Sequence, residues 1–190
     1  MQMDQPTGGY RRQREAASEK HAAILAAAKQ LFEESQIVSL NEIAKRAGVG
    51  AGTLYRHFPT REHLLLAVYE HELASLLASV DDALAGQPTA KAAFIGWFEH
   101  LAAATRLKHG LGEALYSPAV QNVIAASYAP VTAAVTQLLS ACVAEGSVRA
   151  GVEPADVLLM MGFLWRVPDT EEGLAQGRRL VEIVFQGIRA

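Results

Sequence analysis

Apolar residues recur at three- and four-residue spacing along almost the whole chain, and glycine, proline and serine punctuate them at helix-like intervals. Ile24, Leu25, Ala27, Ala28, Leu31 and Phe32 predict a helix from about Ala17 to Ser35. Leu40, Ile43, Ala44 and Ala47 give a second, short stripe. Leu64, Leu65, Val68, Leu73, Leu76, Leu77 and Val80 predict one long helix from Pro59-Thr60 to Gly86, with Thr60 as N-cap. Further helices are predicted over 89–108, from Ser117-Pro118 to Ser127, over 130–145, from Pro154 past Trp165, and from Pro168 past Ile188. With a further short helix over 51–57, nine helices are expected and no strand of useful length. The fold class predicted is all-α.

Residues 39–58 carry the most chemistry. Ser39 and Glu42 form Ser-x-x-Glu, a capping box that satisfies unpaired amides at a helix start. Gly48 stands where that helix must end in a left-handed conformation. Val49 can plug the corner, and a second helix from Ala51 to His57 would bury Leu54 while showing Thr53, Tyr55, Arg56 and His57. This is a helix-turn-helix pattern, whose second helix enters the DNA major groove.

The stretch Gly52-Thr53-Leu54-Tyr55-Arg56-His57-Phe58, followed by Pro59-Thr60-Arg61-Glu62 and Leu64-Leu65-Leu66, resembles the TetR family of bacterial transcriptional regulators. Upstream, Ile24-Leu25, Ala27-Ala28 and Leu31-Phe32 are similar to that family's first helix, so the likeness spans about residues 20–70. It implies an N-terminal three-helix head with the helix-turn-helix and a C-terminal helical body for ligand binding and dimerisation. The corresponding division is a basic arm over 1–17, expected to be flexible, a DNA-binding head over 18–65 and an effector-binding and dimerisation body over 66–190. Gly50 departs from the pattern, because the family commonly has a capping serine there.

Composition narrows the picture. Hydrophobic residues make up 51% and charged residues 19%, which describes a globular chain rather than a disordered one. The net charge of −3 is unevenly spread: residues 1–65 hold nine Lys/Arg against seven Asp/Glu, and the rest hold eight against thirteen. The positive end thus coincides with the head, where phosphate attraction is needed. Cys142 is the single cysteine and reads as a small buried filler. The polar N-terminus lacks the apolar block of a signal peptide. Val123–Ala144 is interrupted by Ser127, Pro130, Thr132, Thr136, Gln137 and Ser140, so it is read as helix rather than membrane span. A cytoplasmic protein without a membrane partner is expected.

DNA contacts are assigned residue by residue. Ser39 can offer hydroxyl and amide to a phosphate. Thr53 and Tyr55 match family positions at the DNA backbone or base edges, His57 matches one at the backbone, and Arg61 can neutralise a phosphate. Ala51, Gly52 and Arg56 lie on or beside the reading face, with Arg56 equipped for guanine or phosphate. Double-stranded operator DNA is the expected partner.

For the ligand, the family's body encloses a small-molecule pocket. Phe94, Trp97, Phe98, His100 and Leu101 on one helix are its candidate wall, with His100 as a polar anchor. Tyr116, Tyr128, Met161 and Trp165 are the candidates elsewhere. A mainly apolar effector is expected, with no cofactor and no metal. The apolar C-terminal helices predict a homodimer, in which Gly162, Gly173 and Gly177 would allow close approach. No nucleophile–base cluster or metal-ligand spacing marks an enzyme. The function read from the sequence is a repressor released from a palindromic operator by its effector. The alternatives are an activator, an effector-independent regulator, or a helical protein–protein adaptor.

Overall fold

The computed structural model describes residues 7–34, 38–168 and 170–190. Among them are nine α-helices and two 3-10 segments, joined by one isolated antiparallel bridge between Val148 and Arg189. The chain forms two compact units, divided between Val68 and Tyr69, three residues beyond the 65/66 boundary expected from sequence.

In the first unit, α1 (Thr7–Glu34) begins ten residues before the expected start. Residues 7–17, expected as a flexible arm, therefore lie in a helix; residues 1–6 lie outside the described residues. The physical reason is propensity: Arg, Gln, Glu and Ala dominate this stretch, and no proline interrupts it. Ile24, Leu25, Ala28 and Leu31 of α1 are buried, as are Ile43 and Ala44 of α2 (Leu40–Arg46) and Leu54 of α3 (Ala51–His57). Helix α4 (Arg61–Ala78) adds Leu64, Leu65 and Val68 to the buried set. Thr60 caps it, receiving the His63 amide at 3.4 Å.

The long helix expected to reach Gly86 is interrupted at Ser79, and α5 runs from Val80 to Gly86. One carbonyl shows why. Leu76 O accepts the Ser79 amide at 3.2 Å, the Ser79 hydroxyl at 2.9 Å and the Trp97 indole N–H at 3.2 Å. Competing donors take the acceptor that a continuous helix would offer to residue 80.

In the second unit, α6 (Ala90–Arg106) is the central element. Thr89 caps it by accepting the Ala92 amide at 3.1 Å. Phe94, Trp97, Phe98 and Leu101 are buried, with Phe94 and Phe98 ring centroids 4.7 Å apart and Phe94 5.3 Å from Phe185. A ten-residue 3-10 segment, Leu107–Tyr116, replaces the break expected at Gly110 and Gly112.

Helix α7 runs unbroken from Pro118 to Glu145, whereas two helices parted before Pro130 were expected. Pro130 lacks an amide hydrogen, yet Ala126, four residues back, and Pro130 are both exposed, so the carbonyl left without its donor lies on the watered side. Splitting α4–α5 and merging 118–145 cancel, which leaves the expected count of nine. Helix α7 is long and apolar enough to cross a membrane by length and composition, with a mean hydropathy of 1.4. Its inner side, Val131, Ala134, Val135, Leu138, Leu139 and Cys142, is buried in the body. On its outer side the Thr132, Thr136 and Ser140 hydroxyls donate to carbonyls four residues back, at 2.8–2.9 Å. Gly146, at φ +81°, ends it in the left-handed region that favours glycine.

Glu145, at the end of α7, accepts the amides of Ala90 at 2.9 Å and Lys91 at 3.3 Å, and so caps the start of α6 from outside that helix. These amides, with the Ser147 hydroxyl, hold its carboxyl below the usual carboxylate range. A carboxylate with a lowered folded pKa stabilises the fold above its unfolded pKa of about 4.3, and that contribution is lost as pH falls through the folded value. Glu145→Gln is accordingly expected to lower the melting temperature at pH 7 and to shrink the difference from wild type as the pH is taken towards 3. Equal differences at both ends of that range would contradict this role.

Helix α8 (Pro154–Met160) continues into a 3-10 segment, Met161–Arg166, rather than running on as one α-helix past Trp165. Helix α9 (Glu171–Ile188) is capped by Thr170, which accepts the Gly173 amide at 3.1 Å. One of the three glycines expected to ease approach of a partner chain serves the chain's own packing instead. A Cβ at Gly173 would overlap the Pro168 carbonyl, whereas one at Gly177 would stand in ordinary contact, 3.8 Å from Val167. Gly162 is exposed and opens onto free space.

Candidate functional site

The helix-turn-helix forms for identifiable local reasons. Ser39 receives the Glu42 amide at 3.2 Å and starts α2. Gly48 then takes φ +67°. The Val49 amide reaches Ala44 O at 3.0 Å and the Gly48 amide reaches Lys45 O at 3.3 Å, the paired bonds of a Schellman ending. That turn launches α3 two residues later. Leu54 is its single buried residue and fixes its rotation, so the opposite side faces water.

On that side, Ala51, Gly52, Tyr55, Arg56 and His57 are exposed and Thr53 is half-buried. Tyr55 keeps 45% of its surface. The Arg56 guanidinium lies back along the helix, 4.0 Å from where a Cβ at Gly52 would stand. The expected contacts Ser39, Ala51, Gly52, Thr53, Tyr55, Arg56 and His57 thus occupy one contiguous helix-turn-helix. The His57 ring also meets His21 of α1 edge-on at 5.9 Å, which ties the end of α3 to the head. Arg61 is half-buried, with its guanidinium 5.0 Å over the Phe32 ring, so it is held in place by packing as well as being placed near this surface in sequence. Arg46 pairs with Glu34 at 3.4 Å.

Gly50 caps α3 without a side-chain hydrogen bond, at φ −68° and ψ 143°. An L-residue adopts that conformation freely, and a Cβ would meet nothing within 4 Å. Gly50→Ser is expected to stabilise the chain by about 0.5–1 kcal/mol, from a new cap and a less flexible unfolded chain. Thermal melting should rise by about 2 °C; a fall would show that the bare cap is required.

The body contains a partly open cavity of about 210 Å³. Four of the sequence-chosen ligand residues line it: Leu101, Tyr128, Met161 and Trp165. Phe94, Trp97 and Phe98 do not; they are at most 2% exposed and form the core behind α6. Tyr116 is 79% exposed and also lies off the cavity. His100 lines a separate, more polar recess with Glu99, Arg106 and Arg178. Tyr69, Thr105, Lys108, Ser127, Leu158 and Leu164 are cavity residues that the sequence reading passed over. Lys108 follows Arg106 just beyond the end of α6, in the 3-10 segment, and no pattern in the sequence sets it apart as a cavity residue. Both 3-10 segments contribute to the wall, and runs of six to ten residues exceed the usual three or four for this geometry.

A helix-turn-helix whose second helix faces solvent, followed along the chain by a body that is helical in its described residues and bears a cavity, is the organisation of a helix-turn-helix transcriptional regulator. Residues 24–68 match the bacterial regulatory proteins of the tetR family, and residues 89–190 match the C-terminal domain of SbtR-like transcriptional regulators. The chain belongs to the TetR family. It is 35% identical to the TetR transcriptional regulator SCO0520 from Streptomyces coelicolor, covering 89% of this chain and 98% of that one, with a TM-score of 0.72. A TetR regulatory protein from Mycobacterium vanbaalenii is 29% identical, with 93% and 99% covered and a TM-score of 0.69. Over 82 residues the chain is 37% identical to the transcriptional activator FasR of Mycolicibacterium smegmatis, covering 42% of this chain and 37% of that protein. The matches span about two fifths of the length of the curated relatives. These proteins and the family are DNA-binding regulators rather than enzymes.

Proposed function

We propose that the chain acts in the cytoplasm as a homodimeric repressor that binds a palindromic operator through two copies of α3 and is released by a small, mainly apolar effector in the body cavity. The observation that carries the reading is α3 itself: one buried leucine anchors it, and its polar and basic side chains are left to water. The dimer is supported by apolar side chains exposed on the C-terminal elements, with Leu159 at 79% and Ile183 at 64% exposure beside Met160, Trp165 and Leu174. Two symmetry-related reading helices call for half-sites roughly 10 base pairs apart, or a multiple of that.

Effector release needs a difference in effector affinity between dimer geometries that bind DNA well and poorly. A tenfold loss of operator affinity needs about 1.4 kcal/mol of coupling. Helix α4 is the proposed carrier, because Tyr69 and Leu73 on it line the cavity while its N-terminal residues belong to the head. Activation is the second reading, favoured by the likeness of 82 residues of this chain to a transcriptional activator.

A gel shift against DNA flanking the chain's own coding region tests the reading. Sequence-preferring binding that weakens steeply with salt is the expected result. Its absence would favour a protein–protein adaptor, and a shift unaffected by every ligand that occupies the cavity would favour an effector-independent regulator.

A further inference from the structure

We infer that the body cavity selects an anionic amphiphile, a carboxylate carried on a compact apolar chain or ring, with Lys108 as the charge partner. This deepens the effector reading above and rests on it. Among the described residues, the cavity wall carries one charged side chain, Lys108, and no aspartate or glutamate. The Lys108 ammonium lies 4.7 Å from the centroid of the Tyr69 ring, and no carboxylate of the described residues pairs with it. An ammonium held against an aromatic face beside apolar walls gains most from an anion that brings both charge and hydrogen-bond acceptors.

The hydroxyls point the same way. Ser127 donates to Ile124 O at 2.6 Å, so in its 3.4 Å contact with Tyr69 it accepts and the tyrosine donates. Thr105 donates to Ala102 O at 3.1 Å. The hydrogens of these three hydroxyls are therefore committed within the protein, and the lysine is left as the charged donor for an entering ligand. A cationic ligand would meet Lys108 with no carboxylate among the described wall residues to offset it, and a neutral one would bring the ammonium no counter-charge. Leu101, Ile124, Leu158, Leu164 and Trp165 supply the apolar remainder of the wall. About 210 Å³ corresponds to roughly seven water volumes, which suits a molecule with on the order of ten non-hydrogen atoms.

Octanoate and phenylpropanoate, the corresponding alcohols, and octylamine form the test set, titrated into the full chain by calorimetry with tryptophan emission as a second readout. At least one carboxylate is expected to bind about tenfold or more tighter than its alcohol, and the amine to bind weakest. Lys108→Met should erase that preference while retaining alcohol binding, which shows the cavity to be intact; Lys108→Arg should keep it. Alcohols that equal both carboxylates, a preference that survives Lys108→Met, or no binding by any member would each overturn the proposal. Operator binding measured on the same preparations separates the outcomes. Its presence leaves the regulator reading standing whatever the ligands do, and its absence removes that reading independently.

Discussion

Replacing Trp97 with alanine is expected to destabilise the chain by about 3–5 kcal/mol, the cost of deleting a large buried aromatic. Trp97 is 2% exposed and meets Phe98 edge-on at 5.3 Å, and its indole N–H donates to Leu76 O in the interrupted turn between α4 and α5. Truncation empties the core and removes one of the donors that share this carbonyl. Against a total stability of about 5–15 kcal/mol this is a large fraction. A melting temperature lower by about 10 °C or more is expected. Trp97→Phe retains most of the apolar volume but loses the donor and should cost about 1–2 kcal/mol. Denaturant melts of both variants measure this directly. An alanine variant of wild-type stability with an altered ligand response would return Trp97 to the cavity wall.

The second large effect concerns DNA. Tyr55→Ala combined with Arg56→Ala is expected to weaken operator binding on the order of 100-fold, at about 1–3 kcal/mol for each lost contact. Both side chains are exposed on α3, whose anchor Leu54 is untouched, so helical content and melting should change by little. Arg61 is a poorer choice for this test. Its guanidinium stacks on Phe32, and its removal would disturb the head as well as any phosphate contact. Undiminished binding by the double variant, with the fold intact, would move the reading face elsewhere.

Local chemistry explains why the head was legible in the sequence. Ser39, Gly48, Leu54 and Thr60 each act within a few residues of themselves, through a cap, a left-handed turn or a fixed helical side. The body resisted because its decisive contacts join distant residues. Nothing near Ser79 announces that the Trp97 indole will share a carbonyl in its last turn. Pro130 reads as a break, but its missing hydrogen bond falls where water can serve the carbonyl. Aromatic residues on α6 resemble a pocket wall in one dimension, whereas Phe94 meets Phe185 and Phe98, and Trp97 packs against Phe98 in the core. Gly173 suggests a partner's approach and in fact admits the Pro168 carbonyl of the same chain. Four of the nine residues chosen for the ligand line the cavity, because burial alone does not distinguish a core side chain from one lining a void.

The central claim is that α3 of two copies reads DNA at a fixed spacing. Selection of bound fragments from random duplexes, followed by alignment of the enriched sequences, tests it most directly. The account predicts an inverted repeat with half-sites about one helical turn, or a multiple of it, apart, enriched by the wild-type chain and not by the Tyr55/Arg56 double variant. Recovery of no preferred sequence, or of the same repeat by both proteins, would contradict it.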